Sequence, residues 1–251
     1  GVAELVGGQV VQQDRGALAA ELQRGALGGG GRQLGDPSAR GVVDAAVVVE
    51  LTHLATLYHD DVMDEAVVRR GAESANSRWT NTVAILTGDY LFARASDLTA
   101  GLGTEATHLQ SRTFARLVEG QISETAGPAD GQDPVEHHLQ VIADKTASLI
   151  ATSARLGALT AGAPPAQVEA VARFGEVFGT AFQLSDDLID VLSETDASGK
   201  TPGTDLREGI RTLPVLLVLA TDAPDSRLVT LLGGDLTDDA LLAEALMLLR
   251  A

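Results

Sequence analysis

The sequence lacks cysteine altogether and contains few aromatic residues. Of its 251 residues none is cysteine, and Phe, Trp and Tyr together make up 3%. The absence of cysteine excludes a disulfide scaffold, a cysteine nucleophile and zinc–thiolate or iron–sulfur sites, and it is compatible with a reducing compartment. With 45% hydrophobic residues, a chain of this length can bury a sizeable core, and it needs neither disulfides nor a structural metal to fold.

Basic residues are also scarce. Lys and Arg number 18 against 35 Asp and Glu, which gives a formal net charge of −17. So acidic a chain repels phosphate backbones and anionic lipids, and general nucleic-acid binding is therefore excluded from the expected functions. An anionic ligand must instead be held by a local cluster of bases, or by metal ions bound to the surplus carboxylates.

Long apolar runs and a secretory signal are missing as well. No stretch of about eighteen uncharged apolar residues occurs, and residues 1–11 show no basic start followed by an apolar segment. We therefore expect a cytoplasmic protein without an integral membrane segment.

What the sequence does contain is helical periodicity. Apolar residues recur at three- and four-residue spacings, with Gly and Pro between the segments, and sustained strand alternation is absent. The pattern predicts an all-α bundle of about ten helices, with residues 1–251 forming a single domain. The last apolar pattern, residues 241–249, runs up to Ala251 without a stop signal, so we expect further residues after it.

Two acidic motifs carry the strongest chemical signal. Asp60-Asp61-Val62-Met63-Asp64 follows an apolar run, and its first and last carboxylates lie one turn apart on one helix face. The pattern recurs at Asp186-Asp187-Leu188-Ile189-Asp190. A single motif of this kind could be a solvated acidic patch, but two that each close an apolar helix favour a site. Carboxylates suit Mg²⁺, which is usually held by one or two carboxylates plus substrate phosphates.

Bases that could hold a diphosphate stand near these motifs. Arg69 and Arg70 follow the first motif, Lys145 precedes Thr146 in mid-chain, and Lys200 follows the second motif. Each alone is more typical of a solvated side chain. Together they indicate phosphate binding, since Arg and Lys are the usual phosphate ligands.

These residues resemble one family, the trans-prenyltransferases or (E)-isoprenyl diphosphate synthases, over residues 39–220. The matching motifs, in order, are Leu51-Thr52-His53, Asp60-Asp61-x-x-Asp64, Arg69-Arg70-Gly71, Gly88-Asp89, Gly120-Gln121-x-x-Glu124, Lys145-Thr146-Ala147, Phe182-Gln183-x-x-Asp186-Asp187-x-x-Asp190, Gly199-Lys200, and Asp205 to Gly209 with Thr212-Leu213-Pro214. The resemblance implies a polyprenyl diphosphate synthase: a homodimer of bundles around a deep central cavity, with Asp60 and Asp186 facing each other across its mouth.

The resemblance also implies the role of each site residue. Direct Mg²⁺ ligands, for three ions with diphosphate bound, would be Asp60, Asp64 and Asp186. Their supporting carboxylates would be Asp61, Asp187 and Asp190. The allylic diphosphate would be held by Arg69, Lys145, Thr146, Gln183 and Lys200, and the diphosphate of isopentenyl diphosphate by Arg32, His53 and Arg70.

The sequence departs from the family at two places. Leu34 runs straight into Gly35, where the family has a second substrate-binding arginine and a further helix, so we expect residues to be missing between them. Ile210 occupies a position where many relatives carry a phosphate-binding lysine, which puts that contact, and its replacement by Arg211, in question.

The resemblance further implies a reaction and a product length. Loss of diphosphate from the allylic substrate would leave a carbocation, which the double bond of isopentenyl diphosphate attacks, extending an all-trans chain. Ala55 lies about 7.5 Å deeper than Asp60 on a helix rising roughly 1.5 Å per residue. In the family a bulky aromatic at this position, or at the next, stops growth early. Because Ala55 and Thr56 are small, we expect this level to be open and the product to have about thirty to fifty carbons.

Other interpretations remain open at this point. A short-chain farnesyl or geranylgeranyl diphosphate synthase differs only in product. A terpene cyclase shares the first motif, but its second motif usually differs and its cavity is aromatic. A non-catalytic partner subunit would typically lose the aspartates. A di-iron bundle could use Glu50-x-x-His53 and Glu105-x-x-His108, but it leaves both aspartate motifs unexplained.

Two smaller features complete the sequence predictions. His137 and His138 follow Pro134 near an expected helix start, and we predict both to be exposed rather than ligands. Asp238 and Asp239 lack a third aspartate and are interpreted as the cap region of a helix start.

Overall fold

The computed structural model describes residues 35–36, 39–69, 72–192, 202–223 and 225–250, and most of them are α-helical. The helices are α1 Arg40–Met63, α2 Ala75–Arg78, α3 Asn81–Gly101, α4 Thr104–Ala126, α5 Pro134–Ile142, α6 Ser148–Thr160, α7 Pro165–Leu192, α8 Thr204–Arg207, α9 Leu213–Thr221, α10 Arg227–Leu232 and α11 Asp239–Leu249. Two short antiparallel strands, β1 Val68–Arg69 and β2 Ala72–Glu73, pair Val68 with Glu73. The predicted all-α class is confirmed.

The described residues fall into two compact units. One comprises the described residues up to Val118 together with Ala147–Val177, and the other comprises Glu119–Thr146 and the described residues from Phe178 onward. A single domain spanning residues 1–251 therefore stays a prediction, and so does its central cavity.

The first unit is built on the antiparallel pair α1 and α3. A side chain added at Gly41, early in α1, would lie 3.7 Å from Leu102 at the end of α3, and one added at Gly88 would lie 3.2 Å from the Ala55 carbonyl oxygen. Small residues at these crossings let the two backbones approach closely. The core of this unit, drawn from α1, α4 and α6, comprises Ala45, Val48, Val49, Ala106, Leu117, Leu149 and Leu156.

In the second unit, a leucine-rich core joins the end of α7 to α8–α11. Its buried members are Val191, Leu206, Val215, Leu231, Leu236, Leu242, Ala245 and Leu246. The Arg250 side chain donates to the Val191 carbonyl oxygen over 2.7 Å, which ties the end of α11 to the end of α7. The predicted cap at Asp238 is confirmed, because its carboxylate accepts from the backbone N–H groups of Ala240 and Leu241 at the start of α11.

A π-helical turn, Ala143–Ala147, joins α5 to α6. Such turns are rare and occur frequently at functional sites. This one carries Lys145 and Thr146, so the backbone at the predicted diphosphate ligands departs from regular α-helix.

Among the described helices, one, α1, is long and apolar enough to cross a membrane by length and composition. Half of its most apolar stretch is buried inside the protein, as in the core helix of a globular domain. A single helix of this kind is weak evidence for a membrane segment, and the prediction that no segment of the chain spans a membrane stays a prediction.

Candidate active site

The first aspartate motif sits at the C-terminal end of α1. Asp60 and Asp61 lie in its last turn, and Asp64 follows directly, with its backbone N–H donating to the Asp60 carbonyl oxygen over 2.8 Å. Asp64 is exposed and Asp60 half-buried, whereas only 2% of Asp61 is exposed. The motif therefore presents two carboxylates outward and turns the third into the protein.

Asp61 is held by Arg69. Arg69 Nε donates to Asp61 Oδ1 over 2.5 Å, and the side chains are 31% and 3% exposed respectively. A buried carboxylate needs such a partner, because an unpaired charge in the interior is costly. The contact supports the predicted auxiliary role of Asp61 and fixes the arginine predicted to bind diphosphate.

The segment between α1 and β1, which leads to Arg69, is held by hydrogen bonds of Ala66. The Ala66 carbonyl oxygen accepts from Ser74 Oγ at 2.5 Å and from Asn76 Nδ2 at 3.0 Å. Ala66 N–H donates in turn to the Asp61 carbonyl oxygen over 2.9 Å. The loop and the end of α1 are thus linked through both backbone and side chains.

Three predicted site residues precede the motif within α1. His53 is 4% exposed and Ala55 fully buried, the latter packed with residues such as Leu91 of α3. Thr56 is half-buried, and its hydroxyl donates to the His53 carbonyl oxygen over 2.8 Å. Close packing against α3 encloses the Ala55 side chain, and the open level expected at Ala55 and Thr56 stays a prediction. Substrate binding by His53 and length control by Thr56 stay predictions.

In the second aspartate motif the middle carboxylate lies in a polar network. Asp187 Oδ1 accepts from Gln183 Nε2 at 3.1 Å, and Asp187 Oδ2 is 3.0 Å from His138 Nε2. Gln183 Oε1 accepts in turn from the Thr146 hydroxyl at 3.0 Å. The structure thereby brings together Thr146, Gln183 and Asp187, three of the residues predicted for the site.

The prediction that His137 and His138 are exposed is wrong. His137 is 9% exposed, and the His138 side chain is 16% exposed and contacts Asp187. They lie one helical turn before Val141 and Ile142, which are both buried, so the inward face of α5 includes the two histidines. That four-residue spacing is the signal by which sequence reasoning could have found them.

Lys145 projects from the π-helical turn and pairs with Glu124 of α4, with Nζ 2.5 Å from Oε2. The approach of α4 to this turn depends on Gly120, since a Cβ there would lie 2.8 Å from the Lys145 backbone nitrogen. Lys145 is half-buried, and its ammonium group is oriented by a carboxylate. This is an arrangement suited to a fixed positive charge.

The last aspartate of the second motif organises a neighbouring turn. Asp190 accepts from the backbone N–H groups of Thr204 and Asp205 at 3.1 and 3.2 Å, and its carbonyl oxygen accepts from Gly203 at 2.9 Å. Gly203 has a φ of 76°, which a residue with a side chain rarely adopts. Asp190 thus supports the start of α8 rather than pointing freely outward.

Asp205 is a residue to which sequence reasoning assigned no role. Burial, with the charges of Asp190, Asp187 and Asp186, raises the pKa of Asp205 to about 7. Burial and the repulsion of these carboxylates together favour the protonated form of Asp205. Its place in the motif Asp205 to Gly209, which begins 15 residues after Asp190, was the available signal.

The donor set fits Mg²⁺. Within the described ranges, no three acidic or histidine side chains converge as a ready-made metal site. Carboxylates are ligands that suit Mg²⁺, which usually takes one or two of them and is completed by substrate phosphates and water. Asp60 and Asp64 belong to the first unit and Asp186 to the second, so their opposition across a cavity mouth stays a prediction.

Several predicted residues lie outside the described part of the chain. These are Arg32, Arg70 and Lys200, together with the Leu34 side of the proposed break before Gly35. Ile210 and Arg211, at the second departure from the family, are exposed before α9.

Comparison with known proteins decides the family. Residues 18–249 match the polyprenyl synthetase family. The chain belongs to that family. It is 56% identical over 216 residues to a nonaprenyl diphosphate synthase of Mycobacterium tuberculosis, and 46% identical over 220 residues to a dimethylallyltranstransferase of the same organism. These matches cover 86% and 87% of this chain. The family match excludes a di-iron bundle.

Solved structures of this family share the fold. The chain superposes with a TM-score of 0.81 and 44% identity on a geranylgeranyl pyrophosphate synthase from Corynebacterium glutamicum, whose crystal structure contains calcium and isoprenyl diphosphate. That match covers 99% of this chain and 73% of the other. The chain spans 64% and 66% of the lengths of the two mycobacterial relatives.

Proposed function

We propose that this protein is a Mg²⁺-dependent prenyltransferase that condenses isopentenyl diphosphate with an allylic diphosphate and elongates an all-trans polyprenyl diphosphate. The observation that carries the proposal is the shared construction of the two aspartate motifs. Each lies at the end of a long helix, buries its middle carboxylate against a fixed partner, and lies beside a base or amide suited to phosphate.

In this proposal the acidic and the basic residues of the site have different roles. Asp60, Asp64 and Asp186 hold the cations, which when bound stabilise the leaving diphosphate as Lewis acids. Lys145 and Arg69, each oriented by a carboxylate, add fixed positive charge where negative charge develops.

The remaining site residues orient the substrates. Thr146 and Gln183 present a hydroxyl and an amide to the allylic diphosphate, and His53, Arg32 and Arg70 bind isopentenyl diphosphate. An apolar pocket that excludes water protects the carbocation until the double bond attacks. The proton lost from the new chain passes to the departed diphosphate, so no covalent enzyme intermediate is needed.

Assembly and location follow the same family expectation. We place the protein in the cytoplasm as a homodimer. An apolar patch on α3, formed by Ile85, Leu86 and Tyr90, is 42 to 61% exposed in the single chain. Contiguous exposed apolar residues of this kind mark protein–protein contacts. This patch supports pairing of two chains through α3.

A long product is favoured by the 56% identity to a nonaprenyl diphosphate synthase. The shorter alternative is a geranylgeranyl diphosphate synthase, which the likeness to the Corynebacterium glutamicum enzyme supports. The two possibilities concern the depth of the pocket, and the chemistry at the diphosphate end is the same.

Incorporation of labelled isopentenyl diphosphate tests the proposal. Purified protein is assayed with geranyl, farnesyl and geranylgeranyl diphosphate as primers, with Mg²⁺ or with EDTA. We expect turnover only with Mg²⁺, and losses in kcat of about 10²- to 10³-fold or more for Asp60→Asn and Asp186→Asn, because each removes a ligand that acts in the transition state.

Asp97→Asn is the matched control, since Asp97 is an exposed aspartate of α3 that contacts only Arg94 among the interactions described. It should retain full activity. Undiminished turnover in EDTA, or in either motif variant, would contradict the proposal.

A further inference from the structure

We propose that His138 is a positioning residue, which orients the second aspartate motif and the allylic-diphosphate ligands by a hydrogen bond to Asp187. The inference rests on the proposed function for what the site binds. It assigns to His138 a task that neither the aspartate motifs nor the phosphate-binding residues provide.

The first observation is that the two carboxylate oxygens of Asp187 have different partners. Oδ1 accepts from Gln183 Nε2 at 3.1 Å, and Oδ2 lies 3.0 Å from His138 Nε2. Because a carboxylate oxygen accepts, His138 Nε2 is the donor in the hydrogen bond that we propose. A carboxylate held at both oxygens by groups on two helices has no freedom to rotate.

The second observation is burial. The Asp187 side chain is 4% exposed and that of His138 16% exposed. In such surroundings a hydrogen bond is stronger than in water, and the loss of one partner is correspondingly costly. The contact is therefore a determinant of geometry, unlike an exposed ion pair at the surface.

The third observation is where the network leads. Gln183 uses its amide N–H to hold Asp187, which turns its Oε1 toward the Thr146 hydroxyl at 3.0 Å. Asp186, a proposed Mg²⁺ ligand, is the residue directly before Asp187. His138 thus fixes, from α5, the rotamers of two proposed diphosphate ligands and the last turns of the helix that bears the proposed metal ligand.

The test compares three variants of adjacent histidines. His138→Leu keeps the volume and removes the donor, and His138→Gln restores an N–H near the position of Nε2. His137→Leu removes a neighbouring buried imidazole of the same helix, for which the structure describes no contact to the motif. All three are first compared with wild type by thermal unfolding.

Binding of inorganic diphosphate in the presence of Mg²⁺, measured by calorimetry, is the first readout. We expect His138→Leu to weaken binding by about 10- to 100-fold, as for other partners that orient metal ligands, and His138→Gln to recover most of it. His137→Leu should bind like wild type. Equal binding by His138→Leu and His137→Leu, or a folded His138→Gln that fails to recover, would overturn the proposal.

Steady-state kinetics give the second readout. The KM for the allylic diphosphate should rise in His138→Leu while the KM for isopentenyl diphosphate stays within about twofold, a split that general destabilisation would not produce. If His138→Leu does not fold, His138→Gln decides the proposal, because it should recover the diphosphate binding and the kinetics of wild type. Wild-type protein without turnover would refute the proposed function alone, since the calorimetric comparison does not depend on turnover.

Discussion

Arg69 and Asp61 form an ion pair that crosses from β1 to the end of α1, with Nε 2.5 Å from Oδ1. One partner is almost completely buried and the other is one-third exposed. The pair therefore joins a residue of the first aspartate motif to an arginine predicted to meet the diphosphate, and it sets the position of that arginine before substrate arrives.

Breaking this pair should cost measurable stability. Arg69→Met removes the charged hydrogen bond to the buried Asp61 carboxylate, and we expect a loss of about 1–3 kcal/mol in the free energy of unfolding. In a double-mutant cycle with Asp61→Asn, measured by urea unfolding, the coupling energy should be about 1 kcal/mol or more.

The exposed pair Arg94–Asp97 provides the comparison. Its side chains are 48% and 69% exposed at an N–O distance of 3.0 Å, and such pairs contribute about 0.5 kcal/mol or less. Coupling energies of equal size in the two cycles would mean that burial does not strengthen the Arg69–Asp61 contact.

At Gly120 there is no room for a side chain, so we expect substitutions there to be disruptive. A Cβ at this position would lie 2.8 Å from the Lys145 backbone nitrogen and 3.1 Å from the Asp144 Cβ, so Gly120→Ala must push α4 away from the π-helical turn. We expect a loss of about 1–3 kcal/mol in stability from overpacking, and a raised KM for the allylic diphosphate because Lys145 moves. Urea unfolding and steady-state kinetics measure the two effects.

Gly101→Ala is the control for that experiment. Gly101 is the last residue of α3, and a Cβ added there would meet nothing within 4 Å. Since Ala has the higher helix propensity, this variant should be as stable as wild type or slightly more so. If Gly120→Ala matched Gly101→Ala in stability and in KM, the π-helical turn would tolerate a displacement of α4.

Asp205 makes stability depend on pH in protein freed of metal by EDTA. Its pKa is raised to about 7 by burial and by the charges of Asp190, Asp187 and Asp186, against an ordinary value near 4. Between these values the folded state holds a proton that the unfolded state has lost, so this group lowers the free energy of unfolding as pH rises.

Asp205→Asn should therefore be more stable than wild type at about pH 8, with a smaller advantage at about pH 5. Denaturant midpoints in EDTA measure the difference. The exposed substitution Asp97→Asn should show no such trend with pH. If the difference in stability between Asp205→Asn and wild type were the same at both pH values, the pKa of Asp205 would not be raised.

The sequence was informative wherever a local pattern determines the outcome. The four-residue spacing of Asp60 and Asp64, the apolar period of the long helices and the cap at Asp238 each depend on neighbours in the chain, and the structure agrees with them. The polyprenyl synthetase family, too, could be identified from motif order alone.

Contacts between distant segments could not be derived in this way. The bond from His138 to Asp187 joins α5 to α7, and its absence from the sequence predictions led to the wrong expectation of an exposed histidine. The π-helical turn at Lys145 depends on the approach of α4 at Gly120. Likewise, the enclosure of Ala55 depends on where α3 crosses α1, which no spacing within α1 reveals.

Product length is the property for which that crossing matters most. Since α1 and α3 run antiparallel and Gly88 lies opposite Ala55, Phe92 lies one turn further from the aspartate motif, about 6 Å at roughly 1.5 Å per residue. Its ring packs against Phe114 of α4 with centroids 4.2 Å apart. The Phe92 ring also lies 5.7 Å from the ring of His59, the residue directly before Asp60, so this side chain reaches back toward the level of Ala55 and Thr56, where a growing chain alongside α1 would meet it.

We therefore expect Thr56→Phe to shorten the product and Phe92→Ala to lengthen it. Thr56 is the better site for an added ring than Ala55, because Ala55 has no exposed surface and a phenyl group there would overpack the contact with α3. Products of each variant, formed with excess isopentenyl diphosphate, are dephosphorylated and separated by reversed-phase chromatography, with wild type yielding chains of about thirty to fifty carbons. Unchanged lengths in both variants would mean that the chain grows along a different helix. A wild-type protein that makes only farnesyl or geranylgeranyl diphosphate would instead show that small residues at positions 55 and 56 do not leave this level open.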